Sequence, residues 1–186
     1  MKRYLINNGL SICFFLLFAG SLLGQVFLGF KEHNKELADE GAAMIDLSSY
    51  LGSGHFYQST FENWESEFLQ MALFVVFTIF LRQRGSSESK KLDKPEEVDR
   101  EPDPTKKDAP DPVKKGGFVL KIYKHSLTIA LLVLFLISFV IHFYGSLKDE
   151  NEKHDIKGEP LETVSSYIGN SRFWFESFQN WQSEFL

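Results

Sequence analysis

A chain of 186 residues could form one soluble domain, but its apolar residues, 44% of the total, are gathered into long runs rather than spread through the sequence. The formal net charge of −5 averages segments of opposite character and therefore gives no ground for nucleic-acid binding. With Cys13 as the single cysteine, an intramolecular disulfide is excluded, and no nucleophile–base or metal constellation marks an enzyme or a cofactor site.

After Lys2 and Arg3, no charged residue occurs from Tyr4 to Phe30. Within that run, Leu10–Phe30 is long enough to cross a hydrocarbon core of about 30 Å at about 1.5 Å per residue. A secretory signal is the competing reading, with a small-residue site at Ala19–Ser21. The apolar run continues to Phe30, however, which is longer than a signal's core. The charged stretch Lys31–Gly41 has helix-forming composition and ends on a glycine suited to a left-handed cap, so the first helix is expected to project two or three turns beyond the bilayer. An outer loop over 42–60 follows, with a short turn around Tyr50, and Thr60 is expected to cap a returning helix.

The uncharged run Phe68–Leu81 is roughly 21 Å long and spans only by recruiting its neighbours. A crossing from Trp64 to Arg82, roughly 28 Å, places Trp64 at the outer headgroup level and Arg82 at the inner one. Residues 85–117 hold five of the six prolines, no aromatic residue and mixed charges. Such a segment cannot bury enough apolar surface to fold and reads as a disordered linker. Ser126–Leu147 is a third uncharged run of spanning length apart from the titratable His142. A second charged stretch, Lys148–Gly158, and a second turn around Tyr167 complete the chain, with Ser177 as the counterpart cap.

The distribution of basic residues sets the orientation. Arg82 to His125 carries Arg82, Arg84, Lys90, Lys91, Lys94, Arg100, Lys106, Lys107, Lys114, Lys115, Lys121 and Lys124, whereas Lys31–Glu65 carries only Lys31 and Lys35 among mostly acidic charges. Basic residues are retained on the cytoplasmic side, so the N-terminus and the central segment are expected there and the two acidic loops outside.

The two ends of the chain are copies of one another. At a constant offset of 117 positions, Ser48–Leu69 lies over Ser165–Leu186, matching Tyr50 to Tyr167, Gly52 to Gly169, Asn63 to Asn180, Trp64 to Trp181 and Glu67 to Glu184. Upstream, the same offset matches Gln25 to His142 and Gly41 to Gly158, a tandem duplication. The expected fold is all-α: a helical integral membrane protein of tandem duplicated two-helix units. Residues 1–84 form the first membrane repeat, 85–117 the cytoplasmic linker and 118–186 the second repeat, incomplete at three spans.

The stretches Asn7–Gln25, Asn63–Gln70, Arg82–Lys90 and Phe173–Leu186 resemble an uncharacterised group of bacterial multi-pass membrane proteins known only as a domain of unknown function. The resemblance implies four membrane helices, the last following the second Asn-Trp-x-Ser-Glu-Phe-Leu motif. The end at Leu186 is accordingly expected to mark a C-terminal truncation. No activity, cofactor or residue role comes with the resemblance.

On a helix, Asn63, Glu67 and Gln70 share a face, with Trp64 on the adjoining one, so a polar stripe enters the bilayer from outside. An ionisable group there is costly unless it faces protein or water, which makes Glu67 the leading candidate, with Asn180, Trp181 and Glu184 as its duplicated set and Gln25 and His142 near the same level. The plainer reading is that Trp64 and Trp181 are interfacial aromatics and that the polar groups pin helices together. A metal site from His142, Glu67 and Glu184 has no ligand geometry behind it. His33, His55, His125 and His154 read as solvated or interfacial. The functional expectation is a non-enzymatic inner-membrane protein, structural, scaffolding or envelope-associated, without a cofactor. Its partners are the lipid bilayer and either further copies of the chain or another membrane protein. The alternative is a small transporter or channel component with a proton or cation site at the duplicated Asn/Glu positions.

Overall fold

The computed structural model describes residues 2–92, 94 and 96–186; Met1 lies outside them, as do Asp93 and Pro95 of the linker. Among the described residues the fold is all-α, with no strand. Two short helices, α1 (Lys2–Asn7) and α3 (Leu47–Leu51), flank the long α2 (Gly9–Asp39), and α4 (Gly54–Phe80) returns. After the linker come α5 (Asp111–Lys115), α6 (Gly117–Lys124), the long α7 (Ser126–Lys157), α8 (Val164–Tyr167) and α9 (Ser171–Glu184).

Helices α2 and α7 are long and apolar enough to cross a membrane. A core helix of a soluble protein buries its apolar residues, but along α2 none of the most apolar 18-residue stretch is buried, and Leu10, Phe14, Phe15, Leu16 and Leu17 are all exposed. The expected crossing from Trp64 to Arg82 lies in α4 as far as Phe80, where the helix ends.

Both long helices stop where their sequences place a glycine. Gly41 and Gly158 have φ of 76° and 68°, the left-handed region that glycine enters without a Cβ clash. Each stop is a Schellman motif. Gly41 N–H donates to Ala38 O and Ala42 N–H to Leu37 O, and in the second copy Gly158 N–H donates to Asp155 O and Glu159 N–H to His154 O.

The start of the returning helices differs from expectation. Thr60 and Ser177 lie inside α4 and α9 and are buried rather than capping their ends. The cap of α4 is Ser53, whose Oγ accepts from Phe56 N–H at 3.2 Å and donates to Tyr50 O at 2.7 Å. Gly54, with no side chain to clash, then begins the helix where the chain passes another backbone. A Cβ on Gly54 would fall 2.2 Å from Asp149 N.

The chain packs as two compact units, each drawing on both copies of the repeat. One comprises Met1–Thr60 with Ile141–Asn170, the other Phe61–Val140 with Ser171–Leu186. The centre of the first holds Tyr50 and Tyr167, both without exposed surface. The second is organised around Phe173, which meets Phe139 edge-on at 5.5 Å, and around Trp181, which meets Phe135 at 6.4 Å. Within the linker, Lys90 pairs with Asp99, and Lys124 of α6 pairs with Glu101.

Candidate functional site

In the first unit each copy of the repeat folds the loop after its long helix back onto that helix's end, and the same hydrogen bonds close both loops. Asn34 Nδ2 donates to Ile45 O at 3.0 Å, and Ile45 N–H donates to Asn34 Oδ1 at 2.7 Å. In the second copy, Asn151 Nδ2 donates to Glu162 O at 3.0 Å, and Glu162 N–H donates to Asn151 Oδ1 at 2.7 Å. An asparagine amide presents a donor and an acceptor side by side, as a backbone partner would, so one side chain holds the loop in register. Next in each loop is a capped turn. Asp46 accepts from Ser49 N–H at 2.8 Å to start α3, and Thr163 accepts from Ser166 N–H at 3.2 Å to start α8. That hydrogen bond holds the exposed Asp46 carboxyl below its ordinary range. The turn then drives Tyr50 or Tyr167 into the interior.

The two buried tyrosines end differently. The Tyr167 hydroxyl lies 2.6 Å from Ser146 Oγ. The position matched to Ser146 in the first copy is Gly29, and the Tyr50 hydroxyl occupies the space that a side chain there would fill, 2.2 Å from the site of a Cβ. Sunk in this way, Tyr50 reaches a group of rings absent from the other copy. Its centroid is 5.8 Å from His33 and 5.9 Å from His55, the two imidazoles are 4.9 Å apart, and its hydroxyl is 3.4 Å from His55 Nδ1. Glu36, one turn beyond His33 on α2, completes the group. The ligand atoms that His33, Glu36 and His55 can offer all lie within 4.8 Å of one another.

Electrostatics single out the same cluster. His33 is only 4% exposed, and its Nδ1 is buried without a hydrogen-bond partner. Burial holds His55 below the ordinary imidazole range, with the charge of Asp149 opposing, His33 and Lys153 reinforcing and Glu36 opposing. Burial, followed by the charge of Glu36, raises the phenol of Tyr50. Asp149 is bridged to Lys153 at 2.8 Å, so these two opposing charges belong to one ion pair. Beside the cluster a cleft of about 350 Å³ is lined by His33, Leu37, Ile45, Lys148 and Glu152, among others.

The residues singled out from the sequence are distributed as follows. Gln25 donates to Ser59 O at 3.1 Å and to Thr60 Oγ1 at 3.3 Å, pinning α2 to the start of α4. His142 is fully buried on α7. Asn63 and Glu67 are exposed and Trp64 is half-buried. Gln70 donates to Glu184 O at 3.1 Å, and Asn180 donates to Glu176 O at 3.0 Å. The carboxylate that this stretch of α4 buries is Glu65, which accepts from Trp181 Nε1 at 2.9 Å. Glu65 shares its face with Ala72, seven positions on, whereas Glu67 stands about 200° around the helix.

Sequence reasoning missed His33, Glu36 and His55, and read the two histidines as solvated or interfacial; His33 is buried and His55 half-buried. The signal was present in the duplication. Where the surrounding loop matches, these three positions carry Glu150, Lys153 and Arg172 in the second copy.

No curated protein and no solved structure matches the chain. One family pattern does, and it matches from end to end. With residues 1–186 all falling within that pattern, the chain belongs to the family described as a domain of unknown function, DUF6766.

Proposed function

We propose that the chain is a multi-pass protein of the bacterial inner membrane with its N-terminus in the cytoplasm. In this reading α2, the Trp64–Arg82 stretch and α7 cross the bilayer, and 85–117 is a cytoplasmic linker. Its role is structural: it is a non-enzymatic scaffold whose two outer loops, held rigid at the ends of the membrane helices, form a surface for another membrane protein or a second copy of the chain. The observation that carries this is the paired clasp. Two membrane-length helices end in the same glycine stop and the same asparagine clamp, so both loops are fixed in position. Preorganised loops lose little entropy on binding.

Topology is tested with reporters fused after Ala43 and after Ala109. An outside signal from the first and a cytoplasmic signal from the second are expected, and a cytoplasmic readout at Ala43 would overturn the reading. Proteolysis of inside-out vesicles should cut between Gly85 and Gly117. The transporter reading, which puts an ion site at Glu67 and its copy, makes a separate demand. Proteoliposomes carrying the full chain would show proton or cation flux abolished by Glu67→Gln, whereas the scaffold reading expects no flux from either form.

A further inference from the structure

We propose that His33, Glu36 and His55 form a binding site for a divalent transition-metal ion of the zinc class, carried by the first clasp alone. Two imidazoles and one carboxylate are the donor set that borderline-soft cations such as Zn²⁺ take, and three protein ligands leave a fourth position for water. The ligand atoms lie within 4.8 Å of one another, and a tetrahedral ion at about 2.0–2.2 Å from each requires them about 3.4 Å apart. Side-chain rotation has to close a gap of at most about 1.4 Å. His33 and Glu36 are one turn apart on α2 and His55 lies in the first turn of α4, so all three ligands stand on helical backbone.

Three observations support the assignment. First, His33 Nδ1 is buried with no hydrogen-bond partner, and a buried polar atom in that state is a cost that a cation would relieve. Second, the Tyr50 hydroxyl stands 3.4 Å from His55 Nδ1, where it can accept the proton of the nitrogen that does not bind the metal and so fix the ring's tautomer. Third, the second clasp is an internal control. It has the same glycine stop, asparagine clamp, capped turn and buried tyrosine, yet its matched residues are Glu150, Lys153 and Arg172. Two of those side chains form ordinary ion pairs instead, Lys153 with Asp149 at 2.8 Å and Arg172 with Glu176 at 2.9 Å. The loop therefore does not need two histidines to fold, and their presence in one copy calls for another reason. The charged groups that face the cluster are Glu36 from α2 and the Asp149–Lys153 pair from α7. The inference holds whichever side of the membrane the loop occupies.

The test uses the full chain, purified in detergent and stripped with chelator, titrated with Co²⁺ as a spectroscopic probe and then with Zn²⁺ in competition. One equivalent of Co²⁺ should bind with the visible bands of a nitrogen- and oxygen-ligated ion, and Zn²⁺ should displace it. His55→Ala and Glu36→Gln should each weaken binding by more than the roughly tenfold that loss of a supporting hydrogen bond costs, Tyr50→Phe by about that tenfold, and the exposed His125→Ala not at all. Helix content and thermal unfolding of each variant without metal separate a lost ligand from a lost fold. If His33→Ala does not fold, the half-buried His55 and Glu36 decide. Absence of the cobalt bands together with no Zn²⁺ binding up to millimolar concentration overturns the proposal, as does a folded His55→Ala variant that retains wild-type stoichiometry and affinity.

Discussion

The two clasps of the first unit share a backbone and differ in their interiors. In the second, three polar groups of the loop and its helix are answered by others within the chain. Tyr167 meets Ser146, His154 Nδ1 lies 2.7 Å from Pro160 O, and Asp149 is bridged to Lys153. In the first, Gly29 removes the tyrosine's partner, the ring sinks, and two imidazoles and a carboxylate gather around it. What closes the loop is thus separable from what fills it: asparagine and glycine supply closure in both copies, leaving the interior free to diverge.

The largest effect on this comparison should come from the clamps. Asn34→Ala leaves the backbone N–H and C=O of Ile45 without their partner and should destabilise the first loop by about 3 kcal/mol, since each buried polar group left unmade costs about 1–3 kcal/mol. Asn151→Ala, at a less buried position, should cost about 1–2 kcal/mol. Hydrogen exchange at the Ile45 and Glu162 amides reads both directly, and equal protection in the variants and the parent would show that the clamps are incidental.

Next in size is the glycine beneath the first tyrosine. Gly29→Ala drives a methyl group into the Tyr50 hydroxyl and should cost about 2 kcal/mol as overpacking. Ser146→Ala, the reciprocal change, only removes a hydrogen bond from Tyr167 and should cost about 1 kcal/mol. Thermal unfolding in one detergent compares them, and a neutral Gly29→Ala would mean that the tyrosine has room to withdraw.

The smallest difference is a matter of pH. Asp46 titrates and its counterpart Thr163 does not. Because the folded carboxyl lies below its ordinary value, the cap's contribution is fully present above that value and is lost as pH falls through the folded one, so α3 should fray below about pH 3.8 while α8 keeps its cap. Amide exchange at Ser49 and Ser166 between pH 5 and pH 3 is the measurement, and parallel behaviour at the two sites would contradict it.

Much of this was legible from residue pairs alone. The left-handed stops at Gly41 and Gly158 followed from matched glycines after helix-forming runs, and the turns at Tyr50 and Tyr167 from the matched aromatics. What escaped was whatever depends on rotation about a helix axis. The sequence has Glu67 and Glu65 two positions apart on α4, and only packing decides which of the two turns inward; it is Glu65, against the indole of Trp181. Thr60 and Ser177 have the chemistry of caps, but Ser53 with Gly54 behind it starts α4 nearly two turns earlier. The histidines escaped because His33 and His55 are 22 residues apart, and only the fold brings them together.

From Gly9 to Asp39, α2 is one unbroken rod of about 46 Å, and the clamp at Asn34 grips its far end. A rod cannot lean at one end alone. Set in a bilayer about 30 Å thick, α2 answers a change in thickness by tilting, and the tilt reaches Asn34, His33 and Glu36 undiminished. Length and phase are coupled as well. One residue inserted between Phe14 and Gln25 advances the far end by about 1.5 Å but turns it by about 100°, carrying the clamp away from Ile45, whereas an insertion of seven nearly restores the phase. In such a bilayer the loop at the end of α2 would be geared to the lipid beneath it, with α2 as the shaft.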